Sequence, residues 1–222
     1  MSGAVAIFAK TPGLTPAKTR LAATIGDEKA EAFYELALDV VEESVRGFLA
    51  CRPDWRASWA VAEAQGVDHP RWRDLGARHT GEGGLGERMA RIYEALRREY
   101  GGAVLIGTDA PEMAPAHLEA AASALETSPL LLGPAMDGGF WLVGGRIAIP
   151  QDAWCAPRYG TGFARADFKA GLAAAGLPAP HLLAPLRDID EAEDLKDLAA
   201  RLGRDTPAKA ALASWLSEAD LS

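Results

Sequence analysis

The sequence predicts an α/β protein whose mostly parallel sheet is covered by helices on both faces, and three observations carry that prediction. Short apolar runs of strand length, such as residues 4–9 and 103–107, alternate with longer segments of helical periodicity. Apolar residues make up 49% and charged residues 24% of the 222, the balance of one globular domain spanning 1–222. Charged or polar segments also fall where predicted strands end, at 10–20, 108–111 and 188–190. In such sheets ligands bind at the carboxyl ends of the strands.

The elements follow in order. Residues 4–9 form a buried strand that stops at a loop carrying Pro12, Gly13 and Pro16, which regular structure does not tolerate. Residues 19–49 read as helix with a break around Gly26, and Phe33, Leu36, Val40, Val41 and Val45 share its inner face. Residues 55–62 alternate like a strand. A polar stretch and a glycine-rich loop at 81–86 lead into an amphipathic helix at 87–100, with Met89, Ile92, Tyr93 and Leu96 inward. Strands are expected at 103–107, 130–132, 140–143 and 182–183, and helices at 115–125 and 161–175. Asp190 with Glu193 resembles a capping box opening a helix to Leu202, and Thr206-Pro207 opens the last one.

Composition narrows the function classes. A formal net charge of −8 with no long Lys/Arg run argues against nucleic acid as partner. No apolar stretch is long enough for a membrane span, and the N-terminus lacks the basic flank of a signal peptide. Cys51 and Cys155 are isolated, too few for a disulfide framework, and read as partly buried free thiols of a cytoplasmic protein. The four histidines show no metal-ligand spacing, and neither a Walker A loop nor a G-x-S-x-G elbow is present. Trp141 and Trp154 are candidates for the core or for a cleft wall.

Five segments carry candidate chemistry. Lys10, Lys18 and Arg20 gather cations in a Pro/Gly loop between a strand and a helix, where backbone N–H groups and fork charges suit phosphate. Asp109 follows an apolar strand directly, at the sheet edge where a hard cation is held by carboxylate and phosphate oxygens; a turn or cap role is the plainer explanation. Asp137-Gly138-Gly139 permits close backbone approach or a hairpin turn. Asp188 and Asp190 lie on one side of an extended segment and can bring further carboxylates to Asp109. Gly83, Gly84 and Gly86, with Arg88 just inside the helix, offer backbone against which a base or ribose can lie.

Collectively these motifs, Phe8-Ala-Lys, Lys18-Thr-Arg-Leu, Gly84-Leu-Gly-Glu-Arg-Met, Gly107-Thr-Asp-Ala-Pro, Leu132-Gly-Pro-Ala-Met-Asp-Gly-Gly-Phe and Asp188-Ile-Asp, resemble a bacterial glycosyltransferase-A-like family. That family was first catalogued as a domain of unknown function and is associated with arsenosugar biosynthesis; it is similar in turn to nucleotidyltransferases of the same fold. The resemblance implies a single-domain three-layer GT-A (nucleotide-diphospho-sugar transferase) fold and a divalent Mg²⁺ or Mn²⁺. Asp109 would be the principal metal aspartate and Asp190 the second, with Asp188 assisting. Lys18 and Arg20 would contact phosphates. The expected activity is glycosyl transfer from a nucleotide-sugar to a small-molecule acceptor, with Asp137 as catalytic base. The alternatives are nucleotidyl transfer from a nucleoside triphosphate and a binding module without turnover.

Overall fold

A computed structural model of the chain describes residues 2–219. Strands β1 (Gly3–Ala9), β2 (Trp55–Val61), β3 (Ala77–His79), β4 (Ala103–Ile106), β5 (Leu130–Pro134), β6 (Phe140–Gly145) and β7 (His181–Leu182) form one sheet in the order β3-β2-β1-β4-β6-β5-β7. All neighbours pair in parallel except β6, which runs antiparallel to both β4 and β5. The strand order reverses beside β1, which pairs with β2 on one side and β4 on the other. The carboxyl ends of β1 and β4 therefore open onto the crevice where doubly wound sheets bind ligands.

Strand β1 explains the layering. Its residues are almost all apolar, and alternate side chains enter different cores. Val5, Ile7 and Ala9 pack against α2 (Asp27–Cys51) and α4 (Pro115–Thr127), with Tyr34, Val41, Val45 and Leu118. Ala4 and Ala6 face α3 (Leu85–Tyr100), α5 (Gln151–Cys155) and α6 (Ala164–Ala174), through Ile92, Tyr93, Trp154 and Phe168. A third cluster joins α1 (Thr19–Ile25), the outer face of α2, α7 (Ala192–Arg201) and α8 (Pro207–Glu218) around Phe33, Val40, Leu195 and Leu212. Helix α2 thus serves two cores, which explains why Phe33 and Val40 diverge from Val41 and Val45. Each such fully buried side chain contributes about 1.5–3 kcal/mol by leaving water.

Most predicted elements stand, with informative departures. The break at Gly26 separates α1 from α2, and Thr206 caps α8 by accepting from the Lys209 N–H. The capping box of α7 is Glu191 with Asp194, not Asp190 with Glu193. The chain turns one residue later than expected, and Asp194 Oδ2 accepts the N–H groups of both Asp190 and Glu191, at 3.1 and 3.0 Å. That correction releases the Asp190 side chain. Helix α6 starts at Ala164, because 157–162 is a separate loop, and the short β3 and α5 carry too little periodicity to read. Cys51 and Cys155 are exposed rather than partly buried. Trp154 is fully buried and Trp141 nearly so. No helix among the described residues is long and apolar enough to cross a membrane.

Candidate active site

Lys18 sits where the first loop enters α1, with φ 50 and ψ 42 in the left-handed region. It is the single non-glycine residue with positive φ among the described residues. Such a backbone costs on the order of 1–3 kcal/mol and persists where its surroundings hold it. Here the side chain does so. Its Nζ is buried against Asp109 Oδ1, donates to the Ile189 carbonyl at 2.6 Å and lies 3.4 Å from Asp190 Oδ1. Burial opposes the ammonium charge, but Asp109, Asp190 and Asp188 outweigh it and hold the Lys18 pKa above its ordinary value.

The carboxylates come from three segments, those following β4, β5 and β7. Asp109 follows β4 and keeps half of its side chain exposed. Its backbone carbonyl accepts the Ile189 N–H at 2.8 Å, which fixes the segment bearing Asp188 and Asp190 beside it. Arg20 reaches Asp190 Oδ2 at 3.5 Å and the Gly160 carbonyl at 3.1 Å. Asp137 sits in the β5–β6 connection, where its Oδ1 accepts the Gly139 N–H at 2.7 Å. Burial, then the charges of Asp109 and Asp137, push the Asp188 carboxyl up to about 8. Its Oδ1 is buried without a hydrogen-bond partner.

The cleft above these groups has two lobes that meet at Phe8, Leu85, Asp109, Gly160 and Asp190. The first, about 440 Å³, is lined by Lys10, Lys18, Arg20 and Arg88 over a floor of Ala9, Tyr34 and Thr108. Tyr34 fixes the start of the loop by accepting the Lys10 N–H and donating to the Lys10 carbonyl, both at 2.9 Å. Arg88 lies along its wall with a buried Nε that has no hydrogen-bond partner. The second lobe, about 330 Å³, contains Asp137, Asp188, Gly139, Phe140, Trp141 and Tyr159, and no Lys or Arg lines it.

Asp109, Asp188, Asp190, Asp137, Lys10, Lys18, Arg20, Arg88 and Gly139 therefore share one cleft. The other glycines have other work. Gly86 lies against α5, where an added Cβ would sit 2.2 Å from the Trp154 carbonyl oxygen; it allows two helices to touch rather than a ligand. Gly83 and Gly84 line neither lobe, and the Gly84 N–H is taken by Glu87 Oε2 at 2.7 Å. Gly138, at φ 92, lets the turn pack on Gly162, whose carbonyl would lie 2.2 Å from a Cβ there. Tyr34, Thr80, Tyr159 and Gly160 are cleft residues that the sequence reading missed. A tyrosine eight residues beyond the Gly26 break carries no signal of its own.

A hard divalent cation fits the donor set. All the ligating candidates are carboxylates, the Asp188 Oδ1 is an unsatisfied buried oxygen, and the half-exposed Asp109 faces the cationic lobe. Among the described residues no group of three His, Cys, Asp or Glu side chains has ligand spacing. The arrangement suits an ion completed by ligand oxygens, which is how Mg²⁺ is usually held.

A family model described as "Uncharacterized protein conserved in bacteria (DUF2064)" matches residues 40–161, just over half of the chain. The chain belongs to this family. Among solved structures it is similar to a candidate nucleotide-diphospho-sugar transferase from Desulfovibrio desulfuricans G20, with a TM-score of 0.79, 22% identity and 98% of each chain covered. It is also similar, at a TM-score of 0.52 and 14% identity over 92% of this chain and 100% of the other, to a CMP:2-keto-3-deoxy-manno-octonic acid synthetase complexed with CTP. No curated protein matches the chain in sequence. The DUF2064 chain thus has the nucleotide-diphospho-sugar transferase-like fold that the motif resemblance implied.

Proposed function

We propose that the protein is a metal-dependent glycosyltransferase that takes a nucleotide-diphosphate-sugar donor and a small-molecule acceptor. The observation that carries this reading is the division of the cleft at Asp109, with four cations lining one side and no Lys or Arg lining the other. A diphosphate matches the first side. In nucleotidyl transfer to a phosphorylated substrate, an anionic phosphate would have to approach from the second side, past Asp137 and with no Lys or Arg to receive it. A neutral hydroxyl approaches there without that repulsion. The description of the similar Desulfovibrio protein points the same way.

The chain's own residues divide the work. Lys18 and Arg20, held by Asp190, neutralise charge that develops on the departing diphosphate, and preorganised charges of this kind are worth about 3–4 kcal/mol each when removed from a site. Arg88, with its unsatisfied Nε, holds the nucleotide side. Asp109, with Asp188 and Asp190, would hold Mg²⁺ or Mn²⁺, which supplies Lewis-acid stabilisation of the leaving diphosphate. Asp137 keeps its second carboxylate oxygen free of the Gly139 N–H contact and accepts the acceptor's hydroxyl proton.

The test is product analysis. Purified protein with Mn²⁺ and a panel of nucleotide-sugars, offered small-molecule alcohols, is expected to release nucleoside diphosphate. Release of pyrophosphate from nucleoside triphosphates with sugar phosphates, and none of nucleoside diphosphate from nucleotide-sugars, contradicts the proposal in favour of nucleotidyl transfer.

A further inference from the structure

The second lobe is more than an acidic recess. Phe140 packs edge-on to Tyr159 with ring centroids 6.3 Å apart, and with Trp141 and Phe8 these rings give the cavity an aromatic lining. The loop bearing Tyr159 and Gly160 is pinned from both sides. The Tyr159 hydroxyl donates to the Trp154 carbonyl at 2.7 Å, and Arg20 donates to the Gly160 carbonyl at 3.1 Å. The lining is therefore built in place. Fixed carboxylate acceptors beside aromatic faces are the complement of a molecule with hydroxyl donors on its edge and C–H groups on its face.

Resting on the glycosyltransferase reading above, we propose that the second lobe holds the transferred sugar and selects an uncharged one, a neutral pyranose rather than a uronic acid or other acidic sugar. Asp137, exposed at the lobe, accepts hydrogen bonds from sugar hydroxyls, and Phe140 and Tyr159 cover the sugar's apolar face. An acidic sugar brings its own carboxylate beside Asp137, in a lobe lined by no Lys or Arg to meet it. Lys18 lines the first lobe and not this one. A divalent cation at Asp109 does not reverse the sign, because the donor's diphosphate arrives with it. Selection here comes from an introduced repulsion as much as from attraction.

The experiment is calorimetric titration of the full chain, in Mn²⁺, with matched donors: UDP-glucose against UDP-glucuronic acid, GDP-mannose against GDP-mannuronic acid, and the parents UDP and GDP. For whichever base binds, the neutral donor is expected to bind at least ten-fold tighter than its acidic counterpart. Asp137→Asn is expected to shrink that ratio while the parent diphosphate binds as before. Equal or tighter binding of the acidic donor overturns the selection and leaves the nucleotide reading standing. An Asp137→Asn ratio unchanged from the parent protein overturns the assignment of Asp137 to it. Absence of binding by every donor and both parents overturns the nucleotide reading itself.

Discussion

The backbone N–H of Ile189 donates to the carbonyl of Asp109 at 2.8 Å, and this bond brings together two chain segments eighty residues apart in sequence. Ile189 is fully buried in the cluster beneath α1 and α7, so its neighbours Asp188 and Asp190 are held toward the cleft. The carboxylate cluster is thus a consequence of packing. An apolar residue anchors between two acidic ones, and the sheet edge receives both.

The capping of α7 supports the same cluster. Replacing Asp194 with Ala removes the acceptor for the Asp190 and Glu191 N–H groups and is expected to cost about 0.5–2 kcal/mol. Thermal denaturation measures that loss. Turnover should fall as well, because the segment bearing Asp190 loses its fixed end; unchanged turnover in a destabilised protein would separate the cap from the site.

Lys18 is predicted to be essential to both charge balance and backbone. Lys18→Met leaves Asp109, Asp188 and Asp190 facing one another without their buried cation. A fall in kcat/KM of about 10²–10³-fold is expected, the scale for losing one preorganised charge. Added Mn²⁺ should raise the melting temperature of this variant more than that of the parent, and an equal rise in both would count against a shared cation site.

Gly86 separates packing from binding. Its missing Cβ is filled by the Trp154 carbonyl, so Gly86→Ala is expected to lower stability by about 1–3 kcal/mol through forced movement of α3 from α5. A protein of normal melting temperature with weakened nucleotide affinity would reverse this assignment. Differential scanning calorimetry together with nucleotide titration distinguishes the two.

Arg158 and Asp167 set an acid dependence away from the carboxylate cluster. Hydrogen bonds from the Arg158 side chain and backbone, at 2.8–3.1 Å, hold the Asp167 carboxyl down at about 2. Because the folded pKa lies below the ordinary value of roughly 3.9, the pair's contribution to stability is present above that pH. It is lost as pH falls toward 2. Carboxyl titration by NMR should find Asp167 depressed and, in Arg158→Ala, returned toward the ordinary range.

Much of the fold was legible because its strands are near-continuous apolar runs and its long helices keep strict faces. Residues 4–9 and 103–107 needed no context to read. The sequence also placed Lys18, Asp109, Asp137 and Asp190 at strand ends, and the structure brings them to one cleft. What escaped was set by contacts between distant segments. Strand β3 has three residues and pairs only along β2. The glycines at 83–86 looked like ligand backbone, but Gly86 answers to Trp154 and Gly84 to Glu87, partners that spacing does not reveal. Asp190 looked like a cap because Glu193 follows at capping distance, yet Glu191 is the cap and Asp194 its partner.

The central claim is that Asp109 holds a divalent cation shared with a nucleotide diphosphate. Manganese binding followed by electron paramagnetic resonance, with UDP or GDP present, tests it most directly in the parent protein and in Asp109→Asn. The account predicts nucleotide-enhanced Mn²⁺ binding in the parent and a loss of at least ten-fold in the variant with the fold intact. Equal Mn²⁺ affinity in the two proteins would contradict it.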